Sequence, residues 1–119
     1  MSDKFEIIFY ETANGNSPAY DFIKSQETKM RAKILKTLEL LQERGYSLRM
    51  PYSEALGDGI FQVRAQVGNN ITRVLYFFFV GQKIILTNGF VKKTQETPSA
   101  EIELAKKYRA DFFDRSGCQ

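Results

Sequence analysis

Along the first half of the chain the apolar residues change period twice, and each change marks an element. Lys4 to Glu11 reads KFEIIFYE, a mix of Phe, Ile and Tyr that predicts a strand of about seven residues. Asn14-Gly15-Asn16-Ser17 breaks it. Ser17 followed by Pro18 suits an N-cap and first helical position, opening a short helix to about Ser25 with Tyr20, Phe22 and Ile23 on its apolar side. A longer helix is predicted over Glu27 to Arg44, where Met30, Ile34, Leu38 and Leu41 recur at helical spacing and Lys29, Arg31, Lys33, Lys36, Glu39 and Glu43 fall on other faces. Gly45 is its stop signal. The basic side of this helix reads either as a solvated face or as a surface for a partner.

Tyr46 to Tyr52 is an irregular connection, and Ser53 to Leu56 predicts a short edge strand before a Gly57-Asp58-Gly59 turn. Alternating apolar and polar residues with turn-forming residues between them then predict three antiparallel strands at 60–67, 71–80 and 83–92, joined by hairpins at Gly68-Asn69-Asn70 and Val80-Gly81-Gln82-Lys83. The run Tyr76-Phe77-Phe78-Phe79 is apolar on both sides, which predicts a central strand covered on both faces. Thr97-Pro98-Ser99 predicts a last helix, capped by Thr97 and reaching about Phe113, with Ile102, Ala105, Tyr108 and Phe112 as its packed face. Residues 115–119 read as a frayed tail. The fold class is α+β: one small domain over residues 1–119, with a mainly antiparallel sheet of four to five strands, two N-terminal helices and one C-terminal helix.

Composition narrows the chemistry. A chain of 119 residues with 43% hydrophobic and 26% charged residues fits one globular domain. No apolar run is long enough to span a membrane, and MSDKFEIIFYE has none of the features of a signal peptide, so the expected compartment is the cytoplasm. The single Cys118 cannot form an internal disulfide. There is no histidine, which excludes histidine metal sites, Ser-His-Asp triads and an imidazole base.

Charge is unevenly spread. From Ile60 to Lys93 the chain carries Arg64, Arg73, Lys83, Lys92 and Lys93 without one Asp or Glu; of the net +3, this stretch holds +5 and the rest −2. A sheet bearing cations and no acids suggests a polyanion as partner. If Asn69-Asn70 is a two-residue turn, Gln66 opposes Arg73 and Arg64 shares their face; a three-residue loop without a bulge would put the arginines on opposite faces. A two-residue Gly81-Gln82 turn would set Phe90 opposite Arg73 and bring Lys92 to the same side, with Lys93 pointing away. No acidic residue near in sequence offers Arg64 or Arg73 a partner. Such arginines can clamp two phosphate oxygens, and a lysine crowded by cations can move a proton, which makes Lys92 or Lys93 the candidate acid or base.

LGDGIFQVR, TRVLYFF and NGFVKKTQETP followed by a helix resemble the RelE/ParE superfamily of bacterial toxins, most closely its HigB-like, phage-derived branch. The order of elements is similar over nearly the whole chain. The resemblance implies a toxin of a type II toxin-antitoxin pair, a ribosome-dependent endoribonuclease that cuts messenger RNA in the decoding site with no metal or cofactor. It implies Arg64, Arg73, Lys92 and Lys93 as catalytic positions, and some relatives carry lysine where Gln62 stands; Gln62, Gln66, Phe90 and Lys83, on the same acid-free sheet, are the candidate RNA contacts. It also implies a small helix-turn-helix antitoxin of the HigA type and a toxin-antitoxin hetero-oligomer, with no membrane partner. Two readings stay open beside it: a ParE-like poison of DNA gyrase, and an RNA-binding module without catalysis.

Overall fold

The computed structural model describes residues 4–117; Cys118 and the first three residues lie outside them. The elements, in order, are β1 (Glu6–Phe9), α1 (Pro18–Lys24), α2 (Thr28–Arg44), a 3-10 turn (Gly45–Ser47), β2 (Ser53–Gly57), β3 (Ile60–Val67), β4 (Asn70–Phe79), β5 (Lys83–Val91) and α3 (Ser99–Ser116). The sheet order is β1-β5-β4-β3-β2. β1 runs parallel to β5 and the other neighbours are antiparallel. This is the expected α+β architecture. No helix among the described residues is long and apolar enough to cross a membrane.

Helices cover the two faces of the sheet unequally. On one face Ile34, Leu38 and Leu41 of α2, with Ile23 of α1, pack against Val63, Ala65, Val74 and Tyr76. On the other, Ala105, Ile102, Tyr108, Phe112 and Phe113 of α3 meet Ile60, Leu75, Phe77 and Ile85. The aromatic run divides as its alternation requires: Tyr76 and Phe78 toward α2, Phe77 and Phe79 toward α3. Phe112 and Phe113 sit edge-on or tilted against Phe77 and Phe79 near the β4–β5 hairpin. α3 therefore begins near the middle of its face and runs toward that hairpin, leaving the other end of the face uncovered.

Polar contacts hold α3 in place. Arg109 donates to the Asp58 carbonyl, and Arg109 and Lys106 both pair with the Asp58 carboxylate in the β2–β3 turn. The Tyr10 hydroxyl donates to Asp111 at 2.6 Å, and Arg115 pairs with the same carboxylate at 2.8 Å while also reaching the Glu11 carbonyl. Arg115 is thus tied down within the helix instead of fraying. The start of α3 also differs from expectation: Pro98 is the N-cap, and its carbonyl accepts the Glu101 amide. Thr97 turns its hydroxyl to Gln62 instead.

Strand register departs from the simplest hairpins at each turn. In β3–β4, Val67 pairs with Asn70, so the two-residue turn is Gly68-Asn69 and not Asn69-Asn70. Gly68, at φ +61°, takes the turn position that glycine fills most cheaply. The β4–β5 hairpin pairs Phe79 with Lys83, a loop of three residues in place of the expected two. A bulge then restores the expected pairing: Thr87 and Asn88 lie between Leu86 and Gly89, opposite Leu75 alone, so that Gly89 meets Val74 and Phe90 meets Arg73. The Thr87 hydroxyl donates to the Leu75 carbonyl inside this bulge. Gly89 has to lack a side chain, because a Cβ there would fall 2.4 Å from the Phe22 ring of α1.

Candidate functional site

The uncovered end of the sheet carries side chains in successive cross-strand rows. Arg64 of β3 faces Arg73 of β4, which faces Phe90 of β5. Directly opposed residues on neighbouring antiparallel strands lie about 5 Å apart at their Cα atoms, so the two guanidinium groups share one small patch. In the next row outward Gln66 faces Ile71, and Lys92 extends the ladder by donating its amide to the Ile71 carbonyl at 2.8 Å. Arg64, Arg73 and Lys92 therefore converge, as a two-residue turn had suggested, with the arginines in direct opposition rather than offset.

Arg73 is the unusual member. It is only 3% exposed, yet its guanidinium makes one hydrogen bond, to the Thr72 carbonyl at 2.9 Å, and its Nε has no partner. Neither Arg64 nor Arg73 forms an ion pair among the described residues; Arg64 instead reaches the Met50 sulfur. Burial, followed by the charge of Arg64, pulls the Arg73 pKa down. Burial, then Arg73 and Arg64, does the same to Lys92. A buried cation held beside two others is costly unless an anion arrives.

One acidic residue approaches the patch after all. Glu54 of the edge strand β2 faces Gln62, on the same side of the sheet as the arginines, and its charge opposes the downward shifts of both Arg73 and Lys92. A relay fixes it: Thr97 donates to the Gln62 carbonyl oxygen at 2.8 Å, and the Gln62 amide donates to Glu54 at 2.9 Å. Gln62 is 2% exposed and both ends of its side-chain amide are already partnered, so it ties β2 to the start of α3. The expectation that the arginines lack an acidic neighbour held only along the sequence; the sheet brings one from ten residues before Arg64.

The remaining predicted positions are divided. Gln66 is exposed beside the arginines, its amide turned to the Gly68 carbonyl. Phe90 is nearly buried and forms apolar floor next to Arg73. Lys93 is exposed just past β5. Lys83 pairs with Phe79 at the opposite end of β5, so it does not join the cluster. Among the described residues no group of three or more acidic, Cys or His side chains is placed to hold a metal ion.

A cleft of about 200 Å³ opens beside the cluster, lined by Lys33, Pro51, Tyr52, Arg64, Gln66 and Arg73, with Ala65 behind. It exists because β2 leaves β3 early. Ser53 pairs with Val63, the Tyr52 carbonyl accepts the Arg64 amide at 2.9 Å, and beyond that point β3 has no neighbour on this side.

The sequence model of the family described as Phage derived protein Gp49-like (DUF891) matches residues 21–110, which include every side chain of this cluster. No curated protein matches the chain.

Proposed function

Since the chain belongs to the Gp49-like family of phage-derived proteins, and since its sheet holds Arg64, Arg73 and Lys92 together without an ion-pair partner among the described residues, we propose that it is the toxin of a toxin-antitoxin pair and an endoribonuclease acting on messenger RNA at the ribosome. The observation that carries this reading is the buried, unpaired Arg73 facing Arg64. The resemblance to HigB-like members of the RelE/ParE superfamily supports the same assignment, and with it a helix-turn-helix antitoxin as partner.

The residues divide the chemistry as follows. Arg64 and Arg73 hold the non-bridging oxygens of the scissile phosphate, and gain most as charge accumulates there. The RNA 2′-oxygen attacks phosphorus and gives up its proton to the Glu54 carboxylate. The bond to the 5′-oxygen breaks, and that oxygen takes a proton from the Lys92 ammonium, whose lowered pKa makes it a better donor. The products are a 2′,3′-cyclic phosphate and a 5′-hydroxyl. The bound ribosome supplies in-line geometry that four side chains alone do not enforce.

The test is chemical. Messenger RNA fragments from a reconstituted translation reaction should carry cyclic phosphate and 5′-hydroxyl ends, and Glu54→Gln should slow their formation by about 100-fold or more. Fragments ending in 5′-phosphate would refute this route.

A further inference from the structure

We infer that the cleft at the open edge of β3 is a nucleotide subsite, with Tyr52 as the platform on which a base of single-stranded RNA stacks and Lys33 as a phosphate contact. This rests on the ribonuclease reading and extends it to the nucleotide next to the cleaved bond.

Tyr52 is 44% exposed and pairs with no other aromatic ring among the described residues, unlike Tyr46, whose ring packs against Phe5 and Phe78. It also lines a second, adjoining cleft with Lys33, Lys36 and Leu40 of α2, so it stands on the ridge between the two. Its position is fixed from both sides. The Tyr52 amide donates to the Arg49 carbonyl and its carbonyl accepts from Arg64. Arg49 in turn folds back to the carbonyls of Tyr46 and Leu48, closing the loop, and Leu48 is buried in the core. An aromatic side chain held on a rigid loop costs little further ordering when a base lands on it.

Charge points to the same occupant. Lys33 is exposed and without an ion-pair partner among the described residues, and Arg64 and Arg73 form the far wall. RNA whose phosphate sits between the arginines has a neighbouring nucleotide within one backbone step, and the cleft gives that nucleotide a cationic wall and a free ring. A flat base beside a phosphate fits this combination of a free ring and unpaired cations; a peptide helix would leave the cations unused.

The experiment titrates isolated protein with a single-stranded RNA hexamer blocked by 2′-O-methyl groups, following backbone amide and tyrosine ring signals by NMR, so cleavage is not needed. Wild type and Tyr52→Phe should bind alike, with shifts at Tyr52, Lys33, Gln66 and Arg73. Tyr52→Ala and Lys33→Gln should each weaken binding by fivefold or more, while Tyr20→Ala on the far side should not. Equal binding by all variants, or shifts confined to other surfaces, would overturn the subsite while leaving the ribonuclease reading intact. So would the absence of any binding at millimolar RNA. Loss of messenger RNA cleavage with hexamer binding preserved at Tyr52 would instead count against the proposed reaction alone.

Discussion

Arg64 and Arg73 stand directly opposite each other across the β3–β4 ladder, and among the described residues no carboxylate is within ion-pair distance of either. Like charges in opposed positions on a sheet repel, and Arg73 adds the cost of losing water. A folded chain that keeps such a pair keeps it at the expense of stability.

Replacing Arg73 by an apolar residue should therefore make the protein more stable. Arg73→Leu is expected to gain about 1 kcal/mol, read as a rise of roughly 4 °C in melting temperature. A fall in melting temperature would mean that Arg73 is satisfied in the native state in a way its single hydrogen bond does not reveal.

Gln62 makes the opposite case. Its buried amide satisfies Thr97 on one side and Glu54 on the other. Gln62→Ala should cost about 1–3 kcal/mol in urea unfolding, since it leaves the Thr97 hydroxyl unpaired and a void beneath β2. Gln62→Glu should recover packing but not the Glu54 contact, because two carboxylates would then face each other across β2 and β3.

Lys92 offers a direct reading of the patch's field. Its side chain should titrate below the other lysines in a carbon-detected NMR titration, since burial, Arg73 and Arg64 all disfavour its charged form. Arg64→Gln should move that titration upward by removing one of the two neighbouring cations. An unchanged midpoint would place Lys92 outside the range of Arg64.

Tyr76 should set the alkaline limit of the fold. Its hydroxyl is buried with that of Ser53, the two oxygens 2.5 Å apart, and burial raises its pKa to about 12 from the usual 10.0. The folded state therefore holds this proton more tightly than the unfolded chain. The contribution is fully present below pH 10 and is lost as pH rises toward 12, amounting to about 2–3 kcal/mol. Tyr76→Phe should remove that part of the alkaline loss, seen as a shallower fall in unfolding free energy over the same interval.

Most elements were legible from periodicity, because the apolar residues of α2 and α3 keep a helical period against one core each, and those of β3 and β4 alternate between the two. Register was legible only by compensation. The β4–β5 loop is one residue longer than expected, and the bulge at Thr87-Asn88 shifts the pairing back, so that Phe90 and Lys92 return to the face of Arg73. Glu54 shows the same effect in a form that sequence conceals. From the tight turn that pairs Gly57 with Ile60, unbroken alternation would point Glu54 toward α2. The irregularity between Ala55 and Gly57 turns it to the cationic face, opposite Gln62. A bulge depends on local backbone geometry and leaves no period to read. Thr97 had the look of a helix cap, but its hydroxyl finds a buried partner in Gln62 across 35 residues of chain; short-range pattern carries no signal for such a bond.

The central claim is that the Arg64–Arg73 pair cleaves messenger RNA. Its most direct test maps fragment ends in a reconstituted translation reaction with wild-type protein and Arg73→Ala, each with and without ribosomes. Cuts that require ribosomes and slow by about 100-fold or more in the variant are the predicted result. Wild-type cutting rates in Arg73→Ala, or no cuts by wild type while translation proceeds unimpeded, would contradict it.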